Sequence, residues 1–124
     1  MKAIEILGTA KTPHITINLD MGLIKIEGRS IPEDPAIFYK QLMNVLDEYI
    51  KIPTKPLTMR FDLEYFNTSS AKAFMNIFKK MYDTNLKIEW VYEENDDDII
   101  EAGEDYKMML AGHLSVELIK KPKV

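Results

Sequence analysis

Hydrophobic residues recur at every second position in several separate stretches of this chain, and this alternation is the feature that most restricts its fold. A period of two places the apolar side chains of an extended strand on one face and its polar side chains on the other. Each strand is therefore expected to bury one face only. The alternating stretches are Ile15–Leu19 and Ile24–Ile26, which flank an Asp20-Met-Gly22 turn and predict a hairpin, and then Leu57–Tyr65, Leu86–Tyr92 and Leu114–Leu118.

Segments with a helical period separate the later strands. The first begins with Asp34 as a suitable N-cap and Pro35 at the first helical position, and it is expected to end at Pro53 and Pro56. The second follows Thr68. The apolar residues that share one side are Phe38, Leu42, Val45, Leu46 and Tyr49 in the first helix and Phe74, Ile77, Phe78 and Met81 in the second.

A third helix is predicted after Asp96, Asp97 and Asp98, because carboxylates are favourable at a helix N-terminus. Gly103 interrupts its pattern and costs ~1 kcal/mol relative to alanine, so this helix is expected to be short or bent. The residues that share one side of it are Ile99, Ala102, Tyr106 and Met109.

The order of these segments predicts the fold class. Counting a short strand at Ile4–Leu7, three strands precede an α-β-α-β-α-β run. Short β-α-β connections favour right-handed crossovers and neighbouring parallel strands, and the single apolar face of every strand places the helices on one side. We therefore predict one α/β domain over residues 1–124, a mixed β-sheet with helices packed mainly on one face. This arrangement resembles the STAS fold of sulfate transporters and anti-sigma antagonists, in which a strand-to-helix turn carries a phosphorylatable Ser or Thr.

Composition narrows the possible functions. The 124 residues are 46% hydrophobic and 29% charged, which suits one domain with a substantial core. A net charge of −4 with thinly spread basic residues argues against nucleic acid as a partner. There is no cysteine, no signal-peptide pattern at Met1–Glu5 and no apolar stretch near the roughly 20 residues of a membrane span. We expect a cytoplasmic, membrane-free protein.

The sequence Asn67-Thr68-Ser69-Ser70 places three hydroxyls at the start of the second helix. A hydroxyl at an N-cap commonly satisfies one backbone N–H, which explains such residues without any function. Three hydroxyls after an asparagine exceed what one cap requires, and no Glu or Gln follows at the spacing of a capping box. Because a helix start also welcomes a dianion, this turn is a natural place for a phosphate.

Other candidate sites are weaker. The acidic run Glu93–Asp98, with Glu101, Glu104 and Asp105 after it, lacks the ligand spacing and central glycine of a calcium-binding EF-hand loop. A solvated helix entrance explains the run, and its functional alternative is an acidic docking surface for a basic partner. His14 and His113 each stand alone, so they indicate no metal site. We expect no catalytic residue, no metal and no cofactor.

Three segments form a recognisable combination: Gly28-Arg-Ser-Ile-Pro-Glu-Asp34, Leu63-Glu-Tyr-Phe-Asn-Thr-Ser-Ser-Ala-Lys72, and Trp90-Val-Tyr-Glu-Glu-Asn-Asp-Asp-Asp98 with Glu101-Ala-Gly-Glu-Asp105. Together they resemble the SiaC family of bacterial regulatory phosphoproteins. Ile31 and Val91 depart from the family pattern, which usually has aromatic residues there. The resemblance implies that Thr68 is the phosphoacceptor. It also implies a Ser/Thr protein kinase, a metal-dependent Ser/Thr phosphatase, and a diguanylate cyclase that the unphosphorylated protein binds and activates in biofilm and cyclic di-GMP signalling.

The hypothesis is thus a non-enzymatic partner-switching protein. Its partner-binding surface is expected to contain Asn67, Ser69, Ser70 and Lys72 around Thr68, and phosphorylation of Thr68 is expected to lower the affinity for an effector. Two alternatives remain open. One is an anti-anti-sigma factor that acts on a sigma-factor antagonist, and the other is a small metal-dependent enzyme that uses the acidic cluster.

Overall fold

A six-stranded sheet with four helical segments makes up the computed structural model, which describes residues 3–51 and 56–122. In chain order the elements are β1 (Ile4–Ile6), β2 (His14–Asn18), β3 (Leu23–Ser30), α1 (Pro35–Phe38), α2 (Lys40–Ile50), β4 (Leu57–Phe66), α3 (Thr68–Lys80), β5 (Leu86–Tyr92), α4 (Asp97–Met109) and β6 (Ser115–Lys120). The predicted order of elements is confirmed. Pro53, one of the two prolines expected to end the first helix, lies outside the described residues.

The strands lie side by side in sequence order, from β1 at one edge to β6 at the other. β1, β2 and β3 are antiparallel neighbours, whereas β3, β4, β5 and β6 run parallel. Gly22 closes the predicted hairpin with φ = 67°, a left-handed conformation that glycine adopts without steric cost. The mixed sheet predicted from the alternation is confirmed.

One face of the sheet carries the core. Its buried residues alternate along β2, β3, β4 and β5 as predicted, and they pack against the apolar sides of the helices in a single cluster. Aromatic rings form the centre of that cluster, since the Phe61 ring lies 5.1 Å from that of Phe74, 5.5 Å from that of Phe78 and 5.5 Å from that of Trp90. Because these contacts join β4, β5 and α3, they hold α3 firmly on the sheet.

The opposite face of the sheet is polar and carries ion pairs between neighbouring strands. Arg60 Nε lies 2.9 Å from Glu89 Oε1, and Lys87 Nζ lies 3.1 Å from Glu117 Oε1. These side chains are partly exposed, so each pair contributes only modestly to stability. Val91 on this face is buried although it alternates with Trp90, and its register partner in β6, Ile119, is apolar as well.

A bulge ends the regular alternation of β4. The pairing of β3 with β4 shifts between Gly28 and Arg29, so that Gly28 lies opposite Leu63 and Arg29 opposite Tyr65. The extra residue turns Tyr65 outward, where 49% of its surface is exposed and its ring contacts the Arg29 guanidinium at 5.6 Å. The prediction that Tyr65 belongs to the apolar face was therefore wrong. Phe66 packs on the core instead.

The first predicted helix is divided into α1 and α2. The chain passes through Tyr39 with φ = −86° and ψ = 3°, outside helical geometry. The Tyr39 side chain is buried, and its hydroxyl reaches the end of β3, 2.6 Å from Ser30 Oγ. The predicted N-cap is confirmed, because Asp34 Oδ1 accepts a hydrogen bond from the Ile37 N–H at 3.3 Å.

α4 is continuous over its 13 residues, so the expectation that Gly103 would shorten it was wrong. Gly103 is buried against the Trp90 indole, and a Cβ there would lie 2.9 Å from Nε1. The glycine therefore serves close packing of helix on sheet. Met109, expected on the buried side, is 51% exposed, whereas Leu110 is fully buried. None of the helices in the described ranges is long and apolar enough to cross a membrane.

Candidate functional site

The turn between β4 and α3 joins an extended strand directly to a helix start, as the sequence predicted. Asn67 has extended backbone angles, φ = −90° and ψ = 175°, and its Oδ1 accepts a hydrogen bond from the Ser70 N–H at 2.9 Å. The N-cap of α3 is therefore an asparagine. None of the three following hydroxyls is needed to cap the helix.

The three hydroxyls have different surroundings. Thr68 is exposed, and within residues 3–51 and 56–122 its side chain has no hydrogen-bond partner. Ser69 is also exposed, but its Oγ donates to Asn67 Oδ1 at 3.2 Å. Ser70 is completely buried. Of the three, Thr68 alone offers an exposed and uncommitted hydroxyl to a modifying enzyme.

The burial of Ser70 changes one sequence prediction. Its Oγ donates to the Ser30 carbonyl oxygen at 2.8 Å and also lies 2.8 Å from Ser30 Oγ. A side chain in this position cannot touch a partner, so the prediction that Ser70 contacts one is corrected. Ser70 supports the turn from below, because it links α3 to the end of β3. Asn67 is half-buried, and Lys72 is exposed.

Two shallow grooves of about 320 Å³ each run along α3, one on either side. We call them the α1/α3 groove and the α3/α4 groove, and Lys72 lines both. The α1/α3 groove is lined by Asp34, Pro35, Ala36, Tyr39, Met43, Ser69, Ala73, Asn76 and Ile77 in addition. The α3/α4 groove is lined by Phe66, Thr68, Ala71, Met75, Ala102, Asp105, Tyr106 and Met109 in addition.

Tyr106 fixes α3 from the α4 side. Its hydroxyl donates to the Ala71 carbonyl oxygen at 3.2 Å, in the first turns of the helix that begins at Thr68. Burial raises the pKa of Tyr106 to about 12, so the hydroxyl stays protonated at neutral pH and remains a donor. The start of α3 is thus held from two directions, by Tyr106 of α4 and by Ser30 of β3.

The charges beside Thr68 come from Lys72 and Asp105, which share the α3/α4 groove with it. Asp62, Glu64 and Asp96 line a separate depression of about 360 Å³ with Lys121. There Lys121 Nζ lies 3.0 Å from Asp62 Oδ1, and this hydrogen bond is the main reason why the pKa of Lys121 is raised. Thr68 does not line this depression.

The acidic run after β5 is largely a helix entrance. Asp96 caps α4, since its Oδ1 accepts from the Ile99 N–H at 3.3 Å, and Asp97 and Asp98 occupy the first turn. No three His, Asp or Glu side chains in the described parts of the chain come together in a group that could hold a metal ion. His14 pairs with Glu5 at 3.0 Å, far in sequence from His113.

Comparison with known proteins shows which family this chain resembles. The family model described as SiaC family regulatory phosphoprotein matches residues 6–121. The chain belongs to the SiaC family of regulatory phosphoproteins. An uncharacterized protein of Pseudomonas aeruginosa strain UCBPP-PA14 is 26% identical over 112 residues, which are 86% of this chain and 89% of the relative.

Solved structures from the SiaC family share the fold. The crystal structure of apo-SiaC from Pseudomonas aeruginosa matches 94% of this chain and 99% of its own, with a TM-score of 0.81 and 24% identity. A chain in the crystal structure of the diguanylate cyclase SiaD in complex with its activator SiaC, also from Pseudomonas aeruginosa, matches 93% and 98%, with a TM-score of 0.82 and 23% identity. These matches confirm the predicted α/β architecture.

Sequence reasoning missed Ser30 and Tyr39, which support the turn from inside. A signal for Ser30 exists, because it lies at the same parity in β3 as Ile24 and Ile26, which are buried. A polar residue at a core-facing position predicts a buried hydrogen bond. A signal for Tyr39 also exists, because it lies three residues before Leu42 and seven before Leu46, on the same helical face as these buried residues.

Proposed function

We propose that this chain is a non-enzymatic partner switch whose unphosphorylated form binds and activates a diguanylate cyclase, and that phosphorylation of Thr68 controls this binding. Membership in a family of regulatory phosphoproteins supports the switch. The solved complex in which a SiaC activates the diguanylate cyclase SiaD supports the choice of effector.

The observation that carries the assignment of Thr68 is the contrast among the three hydroxyls. Ser70 is buried and Ser69 is hydrogen-bonded to the Asn67 cap, whereas Thr68 is exposed and has no hydrogen-bond partner in the described ranges. Because Asn67 supplies the cap, the Thr68 hydroxyl can be modified without unwinding α3. The phosphoacceptor needs such freedom.

The proposed effector surface surrounds Thr68. It consists of Asn67, Thr68, Ser69 and Lys72 together with the two grooves beside α3. Met109 is 51% exposed at the far side of the α3/α4 groove, where a partner could cover it. Ser70 contributes to this surface only by holding the turn in place.

A phosphate on Thr68 adds a charge of about −1.5 to −2 to this surface. It lies in the same groove as Asp105, whose carboxylate repels it, and Lys72, whose ammonium attracts it. An effector that covers the groove must remove water from this dianion, which opposes binding. We therefore expect the phosphorylated form to bind the cyclase more weakly.

Two further partners follow from a reversible switch. A Ser/Thr protein kinase is required to add the phosphate, and we propose a metal-dependent Ser/Thr phosphatase for its removal. The kinase uses ATP and the cyclase uses GTP, so we propose that the switch operates in the cytoplasm. In this scheme the metal and the catalytic groups belong to the partner enzymes.

The site can be tested before any partner is identified. Intact-mass and fragment-ion analysis of the chain purified from its host should show one added phosphate, located on Thr68. Thr68→Ala should abolish this addition, and Ser69→Ala is the matched control because it removes an adjacent exposed hydroxyl and should leave it intact. A phosphate found only on Ser69 would refute the assignment.

The effector can be tested with the Thr68→Ala chain as bait. The captured diguanylate cyclase is then purified, and its affinity for unmodified and phosphothreonine-68 protein is compared by titration calorimetry, together with its rate of cyclic di-GMP formation. We expect binding to weaken by about tenfold or more on phosphorylation. Equal affinity of the two forms would refute the switch, and specific capture of a sigma-factor antagonist instead would indicate an anti-anti-sigma role.

A further inference from the structure

Three buried hydroxyls connect the phosphoacceptor turn to the junction of α1 and α2. Tyr39 OH lies 2.6 Å from Ser30 Oγ, which lies 2.8 Å from Ser70 Oγ, and Ser70 Oγ donates to the Ser30 carbonyl oxygen at 2.8 Å. Ser30 and Ser70 are fully buried, and Tyr39 is 2% exposed. These side chains are therefore shielded from solvent, and Ser30 Oγ links the Tyr39 hydroxyl to the Ser70 hydroxyl.

The direction of the hydrogen bonds follows from the number of protons. Ser70 has one hydroxyl proton and gives it to the Ser30 carbonyl oxygen, so it can only accept at its contact with Ser30 Oγ. Ser30 then gives its own proton to Ser70 and can only accept from Tyr39. Each hydroxyl in this hydroxyl chain therefore donates in the same direction. Tyr39 donates to Ser30, Ser30 donates to Ser70, and Ser70 donates to the Ser30 carbonyl oxygen.

One end of this series of hydroxyls lies under the Thr68 turn, and the other end lies at the α1/α3 groove. The Ser30 carbonyl accepts from Ser70 Oγ and also from the Asn67 N–H at 3.2 Å, so the residues on both sides of Thr68 are attached to the same atom. At the other end, Tyr39 lies at the break between α1 and α2 and lines the α1/α3 groove with Ser69. The three hydroxyls therefore connect the α1/α3 groove to the backbone beneath the Thr68 turn.

We propose that Ser30, Tyr39 and Ser70 are positioning residues that couple the modification state of Thr68 to the shape of the α1/α3 groove. This inference rests on the proposed phosphorylation of Thr68. A phosphate at the first position of α3 attracts the free N–H groups of that turn and competes with the Asn67 side chain for the Ser70 N–H. Displacement of Ser70 is passed to Ser30 and Tyr39, because neither has another hydroxyl partner among the described residues.

The coupling is testable by nuclear magnetic resonance on the full chain with phosphothreonine incorporated at position 68. In the otherwise unchanged protein, the phosphate should shift the amide resonances of residues 36–40 as well as those of residues 67–72. With Ser70→Ala, the shift changes at 36–40 should fall by about half or more, while those at 67–72 persist. Tyr39→Phe should have the same effect, and each variant is compared in its phosphorylated and unphosphorylated forms.

Thr84→Val is the matched control, because Thr84 Oγ1 donates to the Met81 carbonyl oxygen at 2.6 Å beyond the other end of α3. Loss of that hydroxyl should leave the response of residues 36–40 unchanged. If the three hydroxyls only supported the fold, a substitution would shift the resonances of the phosphorylated and unphosphorylated forms equally. The difference between the two forms at residues 36–40 would then stay as large as in the parent. An unaltered difference in Ser70→Ala, or no response at 36–40 in the parent, would overturn the coupling.

The outcome is separable from that of the proposed function. If phosphorylation weakens cyclase binding but residues 36–40 do not respond, the switch is local and the coupling is wrong. If residues 36–40 respond and the affinity for the cyclase is unchanged, the coupling holds and the proposed function is wrong.

Discussion

The one-way hydroxyl chain predicts that Tyr39→Phe has opposite effects on stability in two genetic backgrounds. In the Ser30→Ala background, the Tyr39 O–H has lost its acceptor and is left as a buried, unpaired donor. Removing that hydroxyl should then stabilise the protein. In the Ser70→Ala background, the Tyr39 oxygen is the remaining hydroxyl partner of Ser30, so the same substitution should destabilise it.

The size of each change in the free energy of unfolding depends on which hydrogen-bond donors a substitution leaves without an acceptor. A buried donor without an acceptor costs about 1–3 kcal/mol, whereas a satisfied hydrogen bond contributes a net of about 0.5–1.5 kcal/mol. Tyr39→Phe alone removes one bond and strands no donor, so we expect a loss of about 1 kcal/mol. In the Ser30→Ala background it should instead raise the free energy of unfolding by about 1–2 kcal/mol, and in the Ser70→Ala background it should lower it by about 1 kcal/mol.

Urea unfolding of the parent and the five variants measures these differences. With a slope of about 1–3 kcal/mol/M for a small domain, the two backgrounds should move the midpoint by roughly half a molar in opposite directions. The slopes should agree among variants, since none changes the buried surface appreciably. A shift of the same sign in both backgrounds would refute the reasoning that Ser30 Oγ is the hydrogen-bond partner on which the buried Tyr39 hydroxyl depends.

Three further predictions concern the surroundings of the site. Gly103→Ala should destabilise the protein by about 2–3 kcal/mol and change the near-ultraviolet circular dichroism of Trp90, because the added Cβ would lie 2.9 Å from Nε1. Asn67→Ala should lower the free energy of unfolding by about 1 kcal/mol through loss of the α3 cap, and Asn67→Asp should not, as measured by urea unfolding. Burial raises the pKa of Tyr106 from 10.0 to about 12, so its contribution is complete below pH 10 and is lost as the pH rises towards 12, and the stability difference between the parent and Tyr106→Phe should shrink over that interval.

Much of the fold could be predicted because alternation is a local property of the sequence. Alternation with polar residues identifies the buried face of a strand without knowledge of its neighbours, as it does for Ile24, Ile26 and Phe61. Tyr65 was placed wrongly because the bulge that turns it outward depends on the pairing of β4 with Gly28 and Arg29, more than 30 residues earlier in the chain. A period of two cannot reveal an interruption that is set by the neighbouring strand.

Gly103 shows the same limit in a helix. Intrinsic propensity counts the glycine as unfavourable, and the sequence therefore suggested a short or bent α4. In the structure Gly103 allows α4 to pack closely on Trp90. The Trp90 indole N–H also donates to the Ile99 carbonyl oxygen of α4 at 2.8 Å. Tertiary packing of α4 on β5 outweighs a propensity difference of ~1 kcal/mol.

The candidate site was predicted as a cluster, but the roles within it could not be separated from sequence. Successive helical residues are rotated by about 100°, so three adjacent hydroxyls must point in three directions. Here Thr68 faces the α3/α4 groove, Ser69 faces the α1/α3 groove, and Ser70 faces the interior. Which one faces inward depends on Ser30, which is 40 positions away in sequence.

The separation of these roles explains why a turn with three hydroxyls can be both structural and regulatory. Asn67 provides the cap and Ser70 provides the link to β3, so the integrity of the turn does not depend on the Thr68 side chain. A residue that supported the turn could not be phosphorylated without damaging the helix start, and a residue far from such support would leave the rest of the surface unaffected. Thr68 lies between two supporting residues without being one, and this position lets a charge added there alter the surface while the fold remains intact.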